Sequence, residues 1–145
     1  MGLFDALKKV DTELQYKIAS FSTILSLVKS WKPKHYNSEA AYQNDLLKYL
    51  NDQLYTKSGK EKSVKIKRTR GDIVIGNIAI ELKYNAISTG AFDRLASQIE
   101  RYKKVYNGGI VLVFCGRTDK ELLNKYKNKL LWWGSGLTPI KIVEK

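Results

Sequence analysis

Arg70-Gly71-Asp72-Ile73-Val74-Ile75-Gly76-Asn77-Ile78-Ala79-Ile80-Glu81-Leu82-Lys83 is the stretch on which the reading of the whole chain turns. Two short runs rich in β-branched residues flank Gly76-Asn77, a pair that tolerates positive φ and so suits a two-residue hairpin turn. Folding there pairs Ile75 with Ile78, Val74 with Ala79, Ile73 with Ile80 and Asp72 with Glu81. Directly opposed residues share a face, with Cβ atoms about 4.5–5.5 Å apart. Lys83 joins the face of Glu81 because a strand repeats every second residue. One face then carries Asp72, Glu81 and Lys83; the other carries Ile73, Ile75, Ile78, Ile80 and Leu82. Opposed like charges are unfavourable in a sheet and become favourable with a divalent cation between them. Two carboxylates beside an ammonium suit a hard metal ion, an activated water and a phosphate ester. The competing reading is the solvated polar face of an ordinary hairpin.

The rest of the composition narrows the choice. At 145 residues the chain is long enough for one domain with its own core, and its formal charge of +12 calls for a polyanionic partner, nucleic acid or an anionic membrane surface. No apolar run is long enough to cross a bilayer, so membrane insertion is not expected. The opening residues carry no signal-peptide pattern, and Ala6 stands where a myristoylation motif wants Ser or Thr. With one cysteine there is no internal disulfide, and an intracellular location is expected. One cysteine and one histidine also exclude zinc fingers and zinc deaminases.

Along the chain, Leu3, Leu7, Val10, Leu14, Ile18, Phe21, Leu25, Val28 and Trp31 recur at helical spacing. This stripe packs on the domain, pairs with a second copy, or lies on a membrane; the sequence leaves all three open. Pro33 breaks it. Asn37-Ser38 caps a helix to about residue 55, with Leu46, Leu47, Leu50 and Leu54 inward. Extending that stripe backwards lands on Gln43 and Glu39, so the inward face opens with an acid. Dipole compensation at the helix start explains an acid there equally well. Val64-Lys65-Ile66-Lys67-Arg68 alternates as a half-exposed strand, its lysines either guarding an edge or meeting phosphates. A basic helix from about 91 to 106 carries Arg94, Gln98, Arg101 and Tyr102. Asn107-Gly108-Gly109 ends it, and Ile110–Phe114 reads as a central strand covered on both faces. Thr118-Asp119-Lys120-Glu121 reads as a capping box and Pro139–Val143 as a last strand. Trp132 and Trp133 fit base stacking, packing or a subunit contact.

Asp72 followed after eight residues by Glu81-Leu82-Lys83 resembles the signature of the PD-(D/E)XK nuclease superfamily, which includes Holliday junction resolvases, many restriction endonucleases and the RecB-branch nucleases. Gly71 stands where the family name has proline. Gln98-x-x-x-Tyr102 is similar to the glutamine–tyrosine motif of the RecB branch, and Glu39 matches the glutamate many members carry on their first core helix. The resemblance implies an α/β, restriction endonuclease-like αβββαβ core with a central mixed sheet flanked by helices. It divides the chain into a helical extension, 1–35, and a nuclease domain, 36–145. It further implies Mg²⁺ or Mn²⁺ held by Asp72, Glu81, the Leu82 carbonyl and Glu39. Lys83 would act on the attacking water or the phosphate, and Gln98 would position the site. DNA is the implied partner, contacted by Lys65, Lys67, Arg68, Arg70, Arg94 and Arg101, and a homodimer is compatible with the family. The alternatives are an inactive nucleic-acid-binding module on the same fold, and a basic protein that binds a membrane or another protein through its N-terminal helices.

Overall fold

In the computed structural model, which describes residues 21–58, 66–69, 72–131 and 138–145, the hairpin closes at Gly76-Asn77. β2 (Asp72–Ile75) and β3 (Ile78–Tyr84) run antiparallel with Ile75 opposite Ile78, Val74 opposite Ala79 and Ile73 opposite Ile80, the register read from the sequence. Gly76 takes the positive φ of the turn, 60°. A positive φ at the first central residue and not at the second, Asn77, is the type II′ arrangement, whose twist matches that of the strands it joins.

The sheet grows outward from this hairpin. β1 (Ile66–Thr69) lies antiparallel to β2, β4 (Gly109–Cys115) parallel to β3, and β5 (Ile140–Glu144) parallel to β4, giving the order β1-β2-β3-β4-β5. Parallel neighbours need crossovers. These are the helices α3 (Thr89–Val105), between β3 and β4, and α4 (Lys120–Leu131), between β4 and β5. With the helical segment 21–30 (α1) and α2 (Glu39–Ser58) preceding the strands, the protein is an α/β fold with a mixed sheet flanked by helices. From α2 onward the element order α-β-β-β-α-β-α-β is the expected one.

Strand alternation divides the core in two. Ile73, Ile75, Ile78, Ile80 and Leu82 join Val111, Val113 and Val143 against Leu46 and Leu50 of α2. Ile110, Leu112, Phe114 and Ile140 face Phe92, Leu95 and Ile99 of α3 and Leu123 and Leu130 of α4. β4 is buried on both faces, as its unbroken apolar run requires. Of the settings open to the N-terminal stripe, its described part takes the first: Val28 and Trp31 are buried in the α2-side core and Phe21 and Leu25 pack half-buried against it, while Ile24 and Leu27, outside the stripe as read, are buried there too. Residues 1–20 lie outside the described residues, as do Trp132 and Trp133. The Lys145 ammonium donates to the carbonyls of Lys29 and Trp31 at 2.8 and 2.6 Å, satisfying the orphan acceptors where α1 ends.

Two helix starts differ from the sequence reading. α3 begins earlier, because the Ser88 hydroxyl accepts the Ala91 N–H at 3.1 Å and caps it. α4 is capped by Asp119 rather than Thr118, its carboxylate accepting the Leu122 N–H at 3.0 Å; a carboxylate there meets both the free N–H groups and the helix dipole. Among the described residues no helix is long and apolar enough to cross a membrane.

Candidate active site

β3 presents Glu81 and Lys83 to the α3 side, opposite in register to Leu112 and Phe114 of β4. Glu81 is 4% exposed, and the Lys83 ammonium, with a quarter of its side chain exposed, stands 3.0 Å from its carboxylate. The Tyr102 hydroxyl donates to the other carboxylate oxygen at 3.4 Å. A buried carboxylate of this kind is tolerated only with its charge compensated and its lone pairs occupied. α3 crosses back between two parallel strands, so it runs antiparallel to β3. One turn before Tyr102 therefore lies nearer the C-terminal end of β3, and Gln98 occupies that turn. Its Oε1 is buried without a hydrogen-bond partner among the described residues, a state that costs about 1–3 kcal/mol unless an incoming donor or cation relieves it.

Asp72 is the residue after the Ile73↔Ile80 pair on β2, as Glu81 is on β3; its side chain lies outside the described ones. Among the described side chains, which exclude that of Asp72, no three His, Cys, Asp or Glu groups cluster to hold a metal. Carboxylate oxygens and an unpartnered amide oxygen are hard donors, so the residue types fit Mg²⁺ or Mn²⁺. Leu82 turns its side chain into the α2-side core.

Glu39 reaches the same strand end from the other side. It sits in the first turn of α2, where its Oε1 accepts the Tyr84 N–H at 3.3 Å. Gln43, one turn on, is buried, so the inward acid-and-amide face is present. α2 covers the face opposite to Glu81 and Lys83, however, and the hydrogen bond of Glu39 ties helix to strand one residue past Lys83. Of the expected nucleic-acid contacts, Arg94 and Arg101 are exposed on α3. Lys67 and Arg68 stand on β1 at the register positions of Val74 and Ile73. Lys65 and Arg70 lie outside the described residues.

His35 is exposed. Cys115 is fully buried, and burial pushes its thiol up to about 12, with Glu39 adding to the rise and Lys145 opposing it. Sequence reasoning missed the junction of the loops that follow β3 and β4, where Asn85 joins the two. The one local signal is Asn85 itself, a residue type that accepts left-handed backbone. No protein-family model, curated protein or solved structure matches the chain.

Proposed function

We propose that this protein is a metal-dependent deoxyribonuclease of the PD-(D/E)XK kind, hydrolysing DNA phosphodiester bonds. The observation that carries the reading is the buried Glu81 carboxylate, ion-paired to Lys83 and hydrogen-bonded by Tyr102. Asp72 occupies the next position on the neighbouring strand. The strand order β1-β2-β3-β4, with antiparallel, antiparallel and parallel neighbours and a helix crossing from β3 to β4, supports it. So does the charge of +12.

Asp72, Glu81 and the Leu82 carbonyl would hold Mg²⁺ or Mn²⁺, which when bound supplies Lewis acidity toward the phosphate and a more acidic water. The chain's own groups do the rest. Tyr102 fixes the rotamer of Glu81. Lys83 places a compact positive charge where the phosphoryl oxygens gain negative charge. Gln98 offers its Oε1, unpartnered among the described residues, to a proton of the attacking water. Arg94 and Arg101 hold the flanking backbone, and Glu39 anchors the end of β3 from α2. The test is nicking of supercoiled, linear and four-way-junction DNA in Mg²⁺ and in EDTA. Cleavage in Mg²⁺ and none in EDTA is expected. DNA binding without cleavage in either Mg²⁺ or Mn²⁺ would instead make the chain an inactive binding module.

A further inference from the structure

At the C-terminal ends of β3 and β4 lies a cavity of about 390 Å³. The segments that form it are far apart in sequence: residues 33–35 ahead of α2 with Tyr42 on that helix, Tyr84-Asn85 at the end of β3, and Gly116-Arg117 after β4, with Lys145 on the remaining side. Its titratable nitrogens belong to Lys34, His35, Arg117 and Lys145, and no carboxylate side chain is among the described residues that line it. Glu39, at the start of α2, has an oxygen engaged by the Tyr84 N–H. The size falls within the range of small-ligand sites, and the open ends of parallel strands are where α/β sheets bind ligands.

The rim is fixed before any ligand arrives. Asn85 holds a φ of 54°, in the left-handed region that asparagine accepts more readily than most residues. Its N–H donates to the Cys115 carbonyl at 3.0 Å, and its Oδ1 accepts the Arg117 N–H at 2.7 Å. Gly116, at φ 73°, lies so close that a Cβ there would run into Asn85 Oδ1 and the Tyr84 ring. The two loops are thus stitched together with Arg117 at the mouth. Lys145 is held by the Lys29 and Trp31 carbonyls, which leaves one of its three ammonium donors. Tyr84 follows Lys83 on β3, and consecutive strand residues face opposite ways. The cavity and the Glu81–Lys83 pair therefore flank one strand end.

We propose that this cavity seats a phosphate group of the same nucleic-acid strand whose neighbouring phosphodiester lies at Glu81 and Lys83, with Arg117 and Lys34 supplying the charge. The inference rests on the nuclease reading for the second phosphate and on the cavity alone for the first. An arginine fork and ammonium groups, with no carboxylate side chain among the described lining residues, match phosphate oxygens.

The test is amide NMR of the full chain in EDTA, where no cleavage occurs. The probes are inorganic phosphate and short oligothymidylates with a 5′-phosphate, a 3′-phosphate or neither. Oligonucleotides should move the Asn85, Gly116 and Arg117 amides. Arg117→Ala and Lys34→Ala should each weaken the titration about tenfold, the size of a lost charge-assisted hydrogen bond. Both side chains are exposed, so folding is not at stake. A response that needs a terminal phosphate supports the proposal with a phosphomonoester as ligand, and an equal response to all three oligonucleotides supports it with an internal phosphodiester. Shifts from inorganic phosphate but from no oligonucleotide, or shifts unchanged in both variants, would overturn it. Mg²⁺-dependent nicking without these shifts removes the cavity proposal alone; these shifts without nicking remove the nuclease reading alone.

Discussion

At the level of single residues, Lys83 carries two jobs that separate experimentally. It neutralises a carboxylate that is 4% exposed, and under the proposed function it acts on the reacting phosphate. Lys83→Met should destabilise the fold by about 1–3 kcal/mol, below the range for a fully buried pair because its side chain is 25% exposed. Adding Glu81→Gln should restore most of that loss, since the stranded charge is gone, yet activity should stay absent; denaturant midpoints and nicking rates check the two halves. Lys83→Arg should not recover turnover, because a planar fork does not replace a compact ammonium. Cys115 yields a pH prediction. Its folded-state value of about 12 lies above the ordinary 9.0, so between those limits the folded chain binds more protons than the unfolded one. Its contribution to stability is intact below the unfolded value and is lost as pH rises toward the folded one. Stability of the native chain should therefore fall more steeply with pH in that window than that of Cys115→Ala. A thiol reagent at mildly alkaline pH should label the native protein far more slowly than the unfolded one. The sequence allowed Glu81 and Lys83 to be placed on one face because strand alternation is a local rule. It could not say which face Glu39 would reach, because that depends on how α2 lies on the sheet.

Among the elements, the hairpin was the most legible, and for an identifiable reason. Gly76-Asn77 fixes the turn, and a slip of one residue would turn Ile73, Ile75, Ile78 and Ile80 away from the core in which they are buried. Gly76→Ala should cost about 1–2 kcal/mol from the positive φ alone, since nothing lies within 4 Å of where its Cβ would sit. The caps were less legible. Thr118 and Asp119 are both good N-caps, and only the placed helix decides between them. α1 was legible as a helix but not in its setting. Trp31 is 2% exposed within the α2-side core, so Trp31→Ala should lower stability by about 3–5 kcal/mol. A thermal or urea transition unchanged by Trp31→Ala would detach α1 from the core.

For the whole molecule, parallel pairing of β3 with β4 brings together what no sequence window contains. It sets α3 across Glu81, so that Tyr102 meets the carboxylate, and it places the loops after β3 and β4 side by side. The cavity there escaped sequence reading because its walls come from segments some thirty residues or more apart. The charge of +12 was legible at once, and it predicts DNA affinity that falls by about 0.9 log units per contacted phosphate for each tenfold rise in salt. An affinity insensitive to salt in a fluorescence-anisotropy titration would count against phosphate contacts. The central claim is that the β3 face bearing Glu81 is where DNA is cut. Single-turnover cleavage of junction DNA in Mg²⁺ by Glu81→Ala and Asp72→Ala, with DNA affinity measured alongside, tests it most directly. Cleavage should fall on the order of a hundredfold or more while affinity stays close to that of the native chain. Cleavage by either variant at the native rate would contradict the claim.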